Sequence, residues 1–139
     1  MLKVALNVAL NVALKVALKV VFTGDRNWSD IKRVKQIFRS IPKDSIIIVG
    51  DAKGLDYFVE KIASEANMKV IVYKAEWDKY GLKAGPIRNR LMINENQPDL
   101  IIGFHNDIKS SKGTLHTLNY GKLKGIKTYL VTDNSFDLY

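Results

Sequence analysis

Five short runs of mainly β-branched and aromatic residues, separated by stretches of helical period, constrain this chain more than any other feature of its sequence. They are Lys19–Thr23 (KVVFT), Ser45–Val49 (SIIIV), Lys69–Tyr73 (KVIVY), Asp99–Gly103 (DLIIG) and Lys127–Val131 (KTYLV). Between them lie Ile31, Val34, Ile37 and Phe38 at helical spacing, then Phe58, Ile62, Ala63 and Ala66, then Ile87, Leu91 and Met92 after Gly85-Pro86. A last helix is expected from Gly113 to about Leu123, stopped by Gly125. Strands alternating with helices imply a parallel sheet covered on both faces and joined by right-handed crossovers. The expected fold is one doubly wound α/β sheet of about five strands.

Ahead of that series the chain reads VALN, VALN, VALK, VALK without decay from Val4 to Lys19. On a helix, Lys3, Asn7, Asn11, Lys15 and Lys19 form one narrow polar stripe. On a strand, Val4, Leu6, Val8 and Leu10 share a face, so both periods are met. The length of the repeat and its Ala and Leu content favour an amphipathic helix over residues 1–18, followed by the domain at 19–139. Polar residues in every turn argue against a membrane span, which needs roughly 20 mainly apolar residues, and no signal-peptide cleavage site is apparent. A cytoplasmic location is expected. The apolar surface calls for a cover, either another copy in a homo-oligomer or the domain itself; the plainer alternative is an added segment with no catalytic role.

Ligands of doubly wound sheets sit at the carboxyl ends of the strands, near the point where strand order reverses. The loops at Gly24–Asn27, Gly50–Gly54, the Arg88 segment and Ser110–Thr114 all follow strands. In Lys83–Met92 (KAGPIRNRLM), Pro86 suits the first turn of a helix, and Arg88 and Arg90 come next. Cations at a helix start oppose its dipole unless an anion arrives, which points to a phosphate-bearing ligand. Arg90 lies about 200° around the helix from Arg88 and is expected at a surface or interface. Ser111-Lys112-Gly113-Thr114 is a second helix entry, where Gly113 admits a phosphate to the backbone and Thr114 supplies a hydroxyl. It is not a Walker loop, and Gly50 with Gly54 does not make a dinucleotide fingerprint.

Asp51 and Asp56 flank the second loop and suit ribose hydroxyls, Asp56 equally suiting a helix cap. Trp28 and Trp77 suit base stacking or packing over the core. Asp25, Glu76 and Asp78 are the candidate catalytic carboxylates, and His105 the one candidate for titration near neutrality after a strand. The net charge of +8 favours anionic partners, though its lysines are scattered. With no cysteine and two histidines, disulfides and thiolate sites are excluded and zinc is poorly served, so neither metal nor cofactor is expected.

VFTGDRNWSD, IIIVGDAKGLD, AEWDKYGLKAGPIRNRLM and PDLIIGFHNDIKSSKGT, in this order, resemble the motif series of the YspA-type branch of the SLOG superfamily. The resemblance covers about residues 19–131, leaves out the repeat, and implies a Rossmann-like domain that binds nucleotides or nucleotide-derived ligands. The superfamily also contains LOG-type phosphoribohydrolases, which cleave the N-glycosidic bond of nucleoside monophosphates with an Arg-Lys pair, a methionine and a GGxGTxxE loop. Arg88, Met92 and Gly113-Thr114 match that pattern, while Asn89 replaces the lysine and Thr117 the catalytic glutamate. A threonine cannot carry the charge that activates water or steadies an oxocarbenium-like sugar. The DNA-processing protein DprA distantly resembles this superfamily, which together with the basic pI adds DNA or RNA binding as a third reading.

The resulting expectation is a domain that binds or senses a phosphorylated nucleotide-type small molecule. Arg88, Lys112, Gly113 and Thr114 would hold phosphate, Gly24, Asp25 and Arg26 would line the cleft, and Trp77 would lie near the base. Gly50, Asp51, Gly85, Asn89 and Ser111 complete the set. The alternatives are hydrolysis of a nucleotide N-glycosidic bond and, ranked last, nucleic-acid binding.

Overall fold

The computed structural model describes residues 17–139. The helix expected over residues 1–18 lies outside the described residues except for Ala17 and Leu18. Leu18 is already buried, its amide donating to Ser45 Oγ at 3.0 Å. Six strands form one sheet: β1 (Lys19–Gly24), β2 (Ile46–Gly50), β3 (Lys69–Tyr73), β4 (Leu100–Phe104), β5 (Lys127–Val131) and β6 (Phe136–Leu138). Their order is β3-β2-β1-β4-β5-β6, and every pairing is parallel except that of β5 with β6.

The helices are α1 (Ile31–Phe38), α2 (Leu55–Glu65), the short α3 (Trp77–Tyr80), α4 (Ala84–Asn96) and α5 (Gly113–Leu123). Along β1, Val20 and Phe22 enter one core with α1 and α2, while Val21 enters the other with α4 and α5. All three are fully buried, which explains why the strand reads as an unbroken apolar run. Phe22 lies between Phe38 and Phe104, stacked on both.

The sheet has one strand more than the five expected. Phe136–Leu138 is too short to show a period, and tertiary contacts hold it: Arg33 of α1 donates from Nε to Thr132 O (3.0 Å) and from Nη2 to Ser135 O (2.7 Å) across the β5–β6 turn. Ala75–Gly85, expected as loop, contains α3 and a 3₁₀ turn at Gly81–Lys83, and α4 begins at Ala84. Pro86 therefore lies in the first turn of α4, where its missing N–H breaks no helical hydrogen bond. Among the described residues no helix is long and apolar enough to cross a membrane.

Candidate functional site

Strand order reverses between β1 and β4, so the crevice of this sheet opens beyond Gly24 and Phe104. Asp25 is fixed there by its main chain. Its amide donates to Phe104 O at 2.9 Å, and its carbonyl accepts from Trp28 N (3.0 Å) and Leu55 N (3.1 Å), which ties the loops after β1 and β2 together. Asp25 Oδ1 accepts from Asn27 N at 2.9 Å, leaving Oδ2 to face His105 Nε2 at 3.8 Å. His105 is buried, and its Nδ1 accepts from Asp107 N at 3.0 Å. In the neutral ring that bond assigns the proton to Nε2, on the side of Asp25.

A second polar cluster lies at the end of β2. Arg88, on the second turn of α4, donates from Nη1 to Asp51 Oδ1 at 2.8 Å and from Nε to Asn89 Oδ1 at 2.8 Å. Asp51 Oδ1 also accepts from Ala75 N at 3.2 Å, so one carboxylate joins the β2 loop, the segment after β3 and α4. The anion that a cation at a helix start requires is, in this structure, supplied by the chain itself. Gly50 lies beneath the cluster: a Cβ there would stand 2.6 Å from Arg88 Nη1 and 2.8 Å from Asp56 Oδ2. Asp56, in the first turn of α2, is buried with Oδ2 accepting from Ala52 N at 3.1 Å. Burial pushes its carboxyl up to about 6; the Ala52 amide and the Arg88 charge pull against that, and Asp51 adds to it.

The entry of α5 is shaped differently. Ser111 Oγ accepts from Thr114 N (3.1 Å) and Leu115 N (3.3 Å), taking two of the helix-end amides. Gly113 is exposed, with no atom within 4 Å of where a Cβ would stand, and Lys112 is exposed beside it. Thr114 is buried, as is Thr117, whose Oγ1 donates to Gly113 O at 3.1 Å. Arg90, expected as a surface or interface cation, is half-buried with Nη1 3.4 Å from His116 Nε2, so the starts of α4 and α5 lie side by side. Burial, reinforced by Arg90, lowers the pKa of His116.

The sequence candidates therefore fall into three groups. Gly50, Asp51, Arg88 and Asn89 come together, with Asp56 against them. Asp25 meets His105 at the switch point, after Gly24, which pairs with Phe104. Ser111 to Thr114 form the third group, and no hydrogen bond or ion pair joins them to Arg88 among the described residues. Arg26 is exposed on the β1 loop. Trp77 is exposed on α3, with its ring edge 3.5 Å from where a Gly85 Cβ would lie, and Glu76 and Asp78 beside it line a shallow concavity of about 410 Å³. Trp28, by contrast, is core: it packs edge-on against Phe104 and donates from Nε1 to Asp30 O at 2.9 Å. The residues that sequence reasoning underweighted are Asp56, read as ribose contact or cap, and His105. Their only signal was position, directly after Gly54-Leu55 and directly after β4.

These features define a Rossmann-like α/β domain with three polar clusters along the carboxyl edge of its sheet. Residues 18–80 match the family model described as YspA, cpYpsA-related SLOG family, a match that supports a YspA-type SLOG branch and, with it, nucleotide-related binding or processing. The matched stretch takes in the loops after β1 and β2 and ends before Arg88. The chain is also similar to the Gene 61 protein of Mycobacterium phage D29, at 28% identity over 116 residues, covering 76% of this chain and 90% of that protein. No solved structure gives a significant match.

Proposed function

We propose that the domain binds a phosphorylated nucleotide or nucleotide-derived small molecule in the cleft along the strand-carboxyl edge. The observation that carries this reading is that α4 and α5 begin side by side at that edge, with Arg88 on one and the exposed Gly113 on the other. A phosphorylated ligand lying along this edge would draw on the Arg88 guanidinium at the β2 loop and on the Lys112 ammonium and backbone amides at the α5 entry. Asp51, at the end of β2, suits a ribose diol, and exposed Trp77 offers a face for the base.

The test is a thermal-shift and calorimetric screen of nucleoside mono- and diphosphates and nucleotide sugars, followed by Arg88→Ala and Lys112→Ala. Losing one charge-assisted contact costs roughly 1.5–3 kcal/mol, so each variant is expected to weaken binding by about 10- to 100-fold. Saturable binding indifferent to both substitutions would overturn the assignment of the site.

A second reading, cleavage of a nucleotide N-glycosidic bond, is favoured by the Asp25–His105 pair, which sets a carboxylate beside a buried imidazole at the switch point. In it Asp25 activates water and His105 steadies the carboxylate. Release of free base that disappears in Asp25→Asn would support it; intact nucleotide after prolonged incubation with bound protein would remove it.

A further inference from the structure

Arg88 stands between two carboxyls from different parts of the chain. Asp51 takes its Nη1 at 2.8 Å from the loop after β2. Asp56 faces it from α2 across Gly50: Asp56 Oδ2 and Arg88 Nη1 both lie within 2.8 Å of the point where a Gly50 Cβ would stand, yet they do not close into an ion pair. One cation thus serves two acids. An anion that reaches Arg88 from the cleft competes with Asp51 for the guanidinium and meets Asp56 as a like charge. Asp56 is buried, so solvent and salt screen that repulsion poorly. The charges bearing on Asp56 are Arg88 from α4 and Asp51 from the β2 loop, and its hydrogen-bond donor is the Ala52 amide.

We propose that the Arg88 site takes up its anion together with a proton, and that Asp56 is the group that receives the proton. This rests on the reading that a phosphate group binds at Arg88, and it adds a regulation to that site. The proton comes from solvent and ends on the Asp56 carboxylate; no bond of the ligand changes. Burial already pushes Asp56 up to about 6, and a second negative charge beside it moves the carboxyl higher. Affinity is therefore highest below pH ~6 and falls as pH rises past that value, levelling off above the carboxyl's anion-bound pKa. A further rise of about one pH unit on binding corresponds to about tenfold in affinity.

Sulfate is the probe, because it stays a dianion throughout this range and only the protein titrates. Binding is followed in the full chain through the NMR signals of the Arg88 guanidinium and the Asp56 carboxyl. Sulfate is expected to bind about tenfold tighter near pH ~5 than near pH ~8, and saturating sulfate is expected to raise the Asp56 titration midpoint. Asp51→Asn should tighten binding and keep the pH dependence. Asp56→Asn, which retains an acceptor for the Ala52 amide, should bind at the acid level at every pH. Equal affinity at both pH values, an unmoved Asp56 midpoint in the unaltered protein, or a pH slope that survives in Asp56→Asn would each overturn the proposal. So would sulfate that leaves Arg88 unperturbed, whereas nucleotide binding that still depends on Lys112 would then leave the proposed function standing.

Discussion

At Gly50 the missing side chain is what lets a guanidinium and a buried carboxyl approach the end of β2 together. Gly50→Ala inserts a methyl where Arg88 Nη1 and Asp56 Oδ2 now lie. The Arg88 side chain is flexible at its far end and can withdraw, so the fold should survive with a loss of about 1–3 kcal/mol. Anion binding should weaken alongside, read as a lower melting temperature together with a weaker titration. Gly54→Ala meets a harder obstacle, because Gly54 has φ 71° and a Cβ there would run into the Arg26 carbonyl, which belongs to the backbone. That variant should lose clearly more stability than Gly50→Ala in the same melts. At this scale Arg88, Asp51 and Gly50 were legible because charge and glycine after a strand are visible in the chain itself. What Asp56 and His105 do was not, because it depends on neighbours across the fold: Arg88 comes from 32 positions away in sequence from Asp56, and Asp25 meets His105 only through the pairing of β1 with β4.

Among the elements, the long apolar signals translated closely. β3 and β5 occupy the residues expected, β2 and β4 lie one residue later, and α5 runs from Gly113 to Leu123 as Gly113 at its start and Gly125 after its end implied. The elements that were not legible are α3 and β6, at four and three residues, each too short to repeat its period twice. Neighbours hold β6 in place more than local propensity does, which makes Arg33 its structural tie. Arg33→Ala leaves the Thr132 and Ser135 carbonyls without that donor, at a cost of roughly 1.5–3 kcal/mol. Amide exchange in Phe136–Leu138 and at the β5 edge should accelerate by about tenfold or more, while β1 and β4 keep their protection. Equal acceleration across the whole sheet would show that the β5–β6 turn is not an independent opening unit.

The site and the stability of the whole molecule meet in one carboxyl. Asp56 titrates at about 6 when folded against an ordinary value of 3.8, so between those values the folded chain holds a proton that the unfolded chain has released. Proton binding favours the state with the higher affinity, so this group's contribution to stability is greatest below the unfolded value. It declines as pH rises toward about 6 and stays flat above, and the whole decline amounts to roughly 3 kcal/mol. The domain thus keeps an ionised buried acid at neutral pH at a cost in stability, as sites retained for function commonly do. Asp56→Asn removes the titration while keeping the acceptor for the Ala52 amide. It should therefore be more stable than the parent at about pH 8 by up to roughly 3 kcal/mol, and the two should converge near about pH 4. Urea melts of both proteins across this range check it: the difference between them should shrink as pH falls, and a constant offset would place the destabilisation in shape or packing instead of charge.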